Sequence, residues 1–148
     1  MNIETKYHGE IRVTEKEIIH FAGGIPGFLT EKQFIILPLT DDGIFFTMQS
    51  VNTPELAFVI TNPFLFHKDY DFTLEDSVVK QLGIEKPEDV EVYNILTLQD
   101  PFQQSTINLQ APVVINRKNK QAKQVILNNE NYKTKHPLFN ASPERAEG

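Results

Sequence analysis

Hydrophobic and polar residues alternate along much of this chain with the two-residue period of a half-buried β-strand. Aromatic and β-branched residues dominate the alternating runs, and turn residues such as Asp41-Asp42-Gly43 separate them. The alternating apolar positions are Ile11 and Val13; Ile44, Phe46 and Met48; Leu56, Phe58 and Ile60; Val90, Val92, Leu96 and Leu98; and Ile107, Leu109, Ala111, Val113 and Ile115. The pattern predicts a mainly antiparallel β domain.

A β-hairpin is predicted late in the chain. One strand covers Val113–Asn116, the polar residues 117–120 form the turn, and the second strand covers Gln121–Leu127. Three positive charges lie in the turn, which leaves two interpretations open: a solvated hairpin tip, or a contact with an acidic or phosphate-bearing partner.

The pattern favours one short helix. Thr73–Asp76 resembles a capping box with Asp at the last position, and Leu74, Val78 and Leu82 follow at helical spacing. Gly83 is suited to the residue that ends the helix.

Length and composition indicate one domain that needs no cross-link. The chain has 148 residues and no cysteine, which excludes disulfides and favours a reducing cytoplasm. Neither a signal peptide nor an apolar run of membrane-spanning length is recognisable, so no membrane partner is expected. The domain is predicted to cover residues 1–139, and the small polar residues 140–148 to form a flexible tail.

The charge of the chain is negative and unevenly distributed. The net charge is −6, with 17 acids and 7 bases in residues 1–100 and 3 acids and 7 bases in residues 101–148. This balance disfavours direct binding of nucleic acid and favours a basic protein partner, although it is also typical of a merely soluble surface.

Motifs for catalysis or cofactor binding are not recognisable. The four histidines lack the spacing of a metal site, and no serine occupies a G-x-S-x-G turn. The glycine-rich run at 23–27 lacks the Lys-Ser/Thr of a phosphate-binding loop. We therefore predict no enzyme, no metal and no cofactor.

Three segments are candidates for protein contact. The acids of the first could hold a basic partner or complement the dipole of the helix that follows; their spacing does not fit an EF-hand. The second is glycine-rich and the third aromatic-rich, and each could equally be a structural loop. Their residues are Asp69, Asp71, Glu75 and Asp76; Gly24, Ile25, Pro26, Gly27 and Phe28; and Pro63, Phe64 and Tyr70.

Four segments together resemble the flagellar assembly factor family, FliW, from about Ile3 to Phe139. They are Phe21–Phe28 with its Gly-Ile-Pro-Gly-Phe core; Met48-Gln49-Ser50 with Ala57-Phe58-Val59; Asn62–Tyr70; and Asn108–Asn116 followed by Lys123-Gln124-Val125-Ile126.

The resemblance implies a small, antiparallel, β-barrel-like single domain and a cytoplasmic, non-enzymatic regulator, expected to be a monomer. It implies two partners: flagellin, and the translational repressor CsrA, which the factor antagonises when it is free of flagellin. On this basis we expect Asp69, Asp71, Glu75 and Asp76 to help dock CsrA, and the Asn108–Asn116 strand to be structural. An OB-like nucleic-acid-binding module is the alternative, which the net charge disfavours.

Overall fold

Antiparallel β-structure dominates the computed structural model, which describes residues 1–139. Within that range the strands are β1 (Asn2–Glu4), β2 (Glu10–Arg12), β3 (Ile19–His20), β4 (Gln33–Pro38), β5 (Phe45–Ser50), β6 (Ala57–Thr61), β7 (Val90–Thr97), β8 (Thr106–Ile107), β9 (Val113–Asn116), β10 (Ala122–Gln124) and β11 (His136–Pro137). One α-helix, α1 (Asp76–Leu82), and 3₁₀ turns at Glu15–Glu17, Pro63–Leu65, Pro87–Asp89 and Phe102–Gln104 complete the described fold. The mainly β, antiparallel fold with one short helix is confirmed. The predicted tail at 140–148 lies outside the described residues.

Most strands belong to one nine-stranded sheet. Its main path runs β10-β9-β7-β6-β5-β4-β3, β8 pairs with the second half of β7, and β11 pairs with β8. β1 and β2 form a separate antiparallel pair. Met48 lies opposite Ile36 on one side and Phe58 on the other, so the alternating apolar positions of three strands share a face.

The two ends of this path approach each other at a single bridge. His20, at the end of β3, is bridged to Gln121, which precedes β10, and the His20 N–H donates to the Lys120 carbonyl oxygen at 2.9 Å. The sheet therefore curls back on itself. Within residues 1–139 the strands do not close into a continuously paired barrel, so the barrel-like architecture implied by the family is not confirmed.

Apolar side chains pack in three groups around the sheet. One contains Phe21, Phe34, Met48, Ile60 and Ile115; a second, beneath α1, contains Tyr70, Val78, Leu82, Leu109 and Leu138; a third, under the β1–β2 pair, contains Ile3, Val13, Ile18, Ile35 and Val51. Packing on more than one side of the sheet explains why several strands are nearly continuously apolar.

The start of α1 corrects the sequence analysis. The helix begins at Asp76 after an N-cap at Glu75, with no side-chain cap, so the predicted capping box at Thr73–Asp76 is wrong. Phe72 and Leu74 both pack against the apolar group beneath α1, which extended chain allows with its two-residue period. The predicted end is right: Gly83 has φ +66° and its N–H donates to the Lys80 carbonyl oxygen.

The predicted run of strand from Ile107 to Ile115 is also interrupted. β8 ends at Ile107 and β9 begins at Val113, because the Asn108 side chain accepts the Ala111 N–H at 3.0 Å and Pro112 has no N–H to donate. The hairpin of β9 and β10 is confirmed, although β10 ends at Gln124 rather than Leu127.

Candidate functional site

An apolar groove lies beside the first half of β7. Its volume is about 660 Å³, and its rim carries Asp71, Glu85 and Lys86. We call it the β7 groove and define it by the apolar lining residues Phe64, Phe72, Leu74, Val79, Ile84, Pro87, Val90 and Val92. A concave apolar surface with a charged rim is suited to binding another molecule.

The groove exists because β6 leaves β7 early. The two strands pair only at Ile60–Ile95 and Thr61–Asn94. Asn62 then caps the 3₁₀ turn Pro63–Leu65, its side-chain oxygen accepting the Phe64 N–H at 2.9 Å, and the chain turns away. The sequence motif Asn-Pro-Phe thus ends β6 and leaves the first half of β7 without a paired strand on that side.

Phe64 separates this groove from a second cavity. Its side chain is 40% exposed, its ring centroid lies 5.8 Å from that of Tyr70, and it lines both spaces together with Val90 and Val92. The second cavity measures about 520 Å³ and extends past Leu65, which is 55% exposed. Adjacent exposed apolar side chains between two concavities are typical of a protein-contact surface.

Tyr70 supports the groove from below instead of forming its surface. The residue is buried, its hydroxyl donates to the Leu109 carbonyl oxygen at 2.6 Å, and it accepts the Asn94 side-chain N–H at 3.2 Å. Burial raises the pKa of Tyr70 to about 12. Because Tyr70 is buried, it would affect a partner only indirectly, by holding the aromatic segment on the sheet. Pro63 is also buried.

The four predicted acidic residues are exposed but do not share one pocket. Asp71 lies on the rim of the β7 groove, Asp69 lines a separate cavity with His67 and His136, and Glu75 and Asp76 begin α1. Within residues 1–139 none of these four carboxylates forms an ion pair. The ion pairs in this range join Arg117 and Lys118 to Glu85, Asp89 and Glu91. We call the four acids Asp69, Asp71, Glu75 and Asp76 the acidic strip; their charge remains available to a partner.

The glycine-rich segment folds as a tight hairpin. Ile25 and Phe28 bridge around Pro26 and Gly27, and the Phe28 N–H donates to the Ile25 carbonyl oxygen at 2.7 Å. Gly27 has φ +86°, as a type II turn with proline before it requires. Ile25 is buried, whereas Pro26, Gly27 and Phe28 are exposed, and Gly24 borders a small cavity beside Lys123.

Several groove residues were missed by the sequence analysis. Ile84 and Pro87 were not among the candidate residues, and Val92 was assigned only to a strand face. A two-residue period identifies which face of a strand is buried, but it carries no information on which edge of that strand lacks a neighbour.

The described part of the chain contains neither a metal-binding cluster nor a membrane-spanning helix. Residues 1–139 hold no group of three or more His, Asp or Glu side chains that could bind a metal ion. No helix in the same range has the length and apolarity needed to cross a membrane.

The curled sheet and its grooves place this chain in the class of small, mainly β proteins with concave surfaces large enough to bind another molecule. Comparisons with known proteins identify the family within this class. The family model described as FliW protein matches residues 2–138. The flagellar assembly factor FliW of Bacillus subtilis (strain 168) is 52% identical over 138 residues, covering 93% of this chain and 96% of that protein. The flagellar assembly factor FliW of Geobacillus kaustophilus (strain HTA426) is 55% identical, covering 94% and 96%.

A solved structure agrees with these relatives. The crystal structure of the flagellar assembly factor FliW superimposes with a TM-score of 0.91 at 52% identity, and covers 95% of this chain and 99% of that one. The chain belongs to the FliW family, whose general role is in flagellum assembly. The resemblance stated from the sequence is therefore confirmed.

Proposed function

We propose that this protein is a cytoplasmic regulator of flagellum assembly that binds flagellin and, when free of it, binds and antagonises the translational repressor CsrA. Repression of flagellin translation is then relieved when flagellin leaves the cell. The observation that carries the proposal is membership of the FliW family over residues 2–138. In this proposal the protein acts as a monomer and without catalysis.

The acidic strip supports the CsrA part of the proposal. Asp69, Asp71, Glu75 and Asp76 are exposed and lack an ion pair within residues 1–139. A repressor that holds RNA must present basic side chains, and an acidic surface attracts them and weakens their hold on phosphate.

A switch between two partners requires that each lowers the affinity of the other. Thermodynamic linkage makes this effect reciprocal, whether the partners share a surface or stabilise different states of the protein. The exposed residues Phe64 and Leu65 form an apolar surface beside the acidic strip. Two partners could share part of this combined apolar and acidic surface.

Calorimetry tests the proposal directly. CsrA is titrated into the full-length protein, alone and with flagellin monomer present. We expect binding that flagellin suppresses; failure of both partners to bind would overturn the proposal.

The double variant Asp71→Lys with Glu75→Lys then tests the acidic strip. CsrA binding should weaken by at least roughly tenfold at low salt and lose part of its salt dependence. The matched control, Glu4→Lys with Glu10→Lys, makes the same change in net charge at exposed positions of the separate β1–β2 pair. Equal losses in both variants would show that only net charge matters, and unchanged affinity in the first would remove the strip from the interface.

A further inference from the structure

Within residues 1–139, the first half of β7 has an edge without a neighbouring strand. On one side, residues Val90–Tyr93 pair with β9 in antiparallel register. On the other side, β6 pairs only as far as Asn94. Residues 90–93 are therefore a strand edge that no strand within residues 1–139 covers.

The hydrogen-bond alternation shows which backbone groups face that edge. The Arg117 N–H donates to the Asp89 carbonyl oxygen at 2.8 Å, so odd-numbered residues of this stretch bond toward β9. The Asn108 N–H donates to the Ile95 carbonyl oxygen, which agrees with this alternation. Even-numbered residues, Val90 and Val92, therefore direct their N–H and carbonyl groups away from β9.

Val92 is left without backbone partners on this side. Asn94 pairs with Thr61, and the Val90 N–H donates to the Pro87 carbonyl oxygen. Within residues 1–139 neither the N–H nor the carbonyl oxygen of Val92 has a hydrogen-bond partner. Backbone groups in that state are a template for another extended chain.

The continuation of β6 cannot supply the missing strand. Extending the register from Thr61–Asn94 by two residues would place Pro63 opposite Val92. Pro63 has no N–H, and its carbonyl oxygen already accepts the N–H groups of Phe66 and His67. The edge is therefore unpaired because Pro63 can neither donate nor accept a ladder hydrogen bond there.

The space beside the edge suits alternate side chains. The side chains of Val90 and Val92 line both cavities, the β7 groove and the space beyond Phe64, at about 660 and 520 Å³. In an added antiparallel strand, the residue opposite Val92 would bond to Val92 and direct its side chain to the same face, into these cavities.

Charge around the edge favours a basic segment. The Lys or Arg positions of an added strand would point away from Val90 and Val92, toward the side of Glu91 and Arg117. Four acids surround the edge against the two bases Lys86 and Arg117; they are Asp71, Glu85, Glu88 and Glu91. Asp71 and Glu88 form no ion pair within residues 1–139, which leaves them available to a basic partner.

We propose that the β7 groove binds an extended segment of a partner protein, with apolar residues at alternate positions and Lys or Arg between them, added as an antiparallel strand along Val90–Tyr93. This inference goes beyond the proposed function, because it concerns the form of the bound segment and holds for any protein that carries one. Strand addition combines main-chain hydrogen bonds with pockets for every second side chain.

Synthetic peptides test the strand addition. ¹⁵N-labelled full-length protein is titrated with a capped peptide that alternates Val with Lys, and hydrogen exchange of the Val92 amide is followed by NMR. We expect exchange at Val92 to slow by roughly tenfold or more on binding. Methylating the amide nitrogens of the Val residues should abolish binding, because these residues face β7, whereas methylating those of the Lys residues should leave it intact.

The same titrations can overturn the proposal. Equal effects of the two methylated peptides, no binding of the parent peptide, or binding that leaves Val92 exchange unchanged would each refute strand addition. A peptide with Glu in place of Lys should bind more weakly, and equal affinity would refute the choice of a basic segment. Slowing of Val92 exchange with protein concentration alone would identify a second copy of this chain as the occupant.

The experiment also separates this inference from the proposed function. If flagellin and CsrA bind while the peptide does not and Val92 remains unprotected, strand addition fails and the proposed function stands. If the peptide binds as expected while neither protein does, the proposed function fails and the groove remains a peptide site.

Discussion

The glycine-rich segment Phe21–Phe28 and the aromatic segment Asn62–Tyr70 are similarly unusual in sequence but differ in what the fold asks of them. In the first, the backbone itself requires the special residues. A Cβ on Gly24 would lie 2.2 Å from the Leu29 carbonyl oxygen, and Gly24 and Gly27 both have positive φ. In the second, Asn62 and Pro63 shape a turn, whereas Phe64 and Leu65 remain 40% and 55% exposed.

Unusual composition alone does not identify a binding site, because the local backbone geometry can require the same residues. Where glycine is required by a close approach, its presence is explained by folding. Folding does not explain the exposed aromatic and aliphatic residues beside an unpaired strand edge in the same way. Their position therefore favours the β7 groove as a binding site. Four experiments with variants of these segments and their neighbours test this contrast, in order of decreasing expected effect.

Gly24→Ala should have the largest effect on stability. The added Cβ meets backbone atoms of Leu29, and alanine is disfavoured at φ +75°, so we expect a loss of about 4 kcal/mol in the free energy of unfolding. Urea unfolding measures it, and Gly23→Ala is the control, because a Cβ at Gly23 meets nothing within 4 Å. Similar small losses for both would mean that the loop is not held by this contact.

Truncation of matched aliphatic residues compares the two segments directly. Ile25 is 1% exposed in the glycine-rich hairpin, and Ile25→Ala should cost about 3 kcal/mol through lost burial and a cavity. Leu65 is largely exposed, so Leu65→Ala should cost less than about 0.5 kcal/mol. Both values come from chemical denaturation, and a large loss at Leu65 would show that the aromatic segment is structural after all.

Tyr70→Phe tests the support beneath the groove. It removes the hydroxyl that donates to the Leu109 carbonyl oxygen and leaves that oxygen buried, so we expect a loss of about 1–2 kcal/mol. Tyr132→Phe is the control, since within residues 1–139 its hydroxyl accepts only the exposed Asp71 N–H. If both substitutions cost the same, the Tyr70 hydrogen bond is not a distinct support.

The smallest effect concerns pH. Burial, and secondarily the His67 ring, lowers the pKa of His136 from its ordinary value of 6.5. The native protein therefore binds fewer protons than the unfolded chain in this range. The contribution of neutral His136 is fully present above about pH 6.5 and is lost as the pH falls through the native pKa.

His136→Gln should flatten the fall in unfolding free energy between about pH 7 and pH 5. Urea midpoints at successive pH values measure it. His67→Gln should flatten it only in part, because burial is the larger cause and remains. An unchanged slope in the His136 variant would assign the pH dependence to other groups.

Local patterns predicted most strand faces, one helix and the late hairpin, because alternation, capping glycines and turn residues act over a few residues. Thr73 was misassigned as a helix cap since packing of Phe72 and Leu74 against the distant core kept the chain extended there. The interruption at Asn108–Pro112 depends on a side-chain hydrogen bond that alternation does not reveal.

The β7 groove was beyond sequence reasoning for a similar cause. Its lining combines residues from 64 to 92, and its open edge depends on β6 ending at Thr61. Neighbours in a sheet are set by tertiary pairing, which no local pattern contains. The acidic residues were found because charge is visible in the sequence, although only the structure distinguishes Asp71 on the groove rim from Asp69 beside His67.

The bridge between His20 and Gln121 has a consequence for how the protein is made. It joins a strand near the start of the chain to one near the end, so it cannot form on the ribosome until the late hairpin has emerged. Contacts so distant in sequence are slow to form, because the closure entropy of the long intervening loop opposes them. The β5–β6 hairpin can pair well before that, and we expect closure of the curled sheet to be a late event in folding.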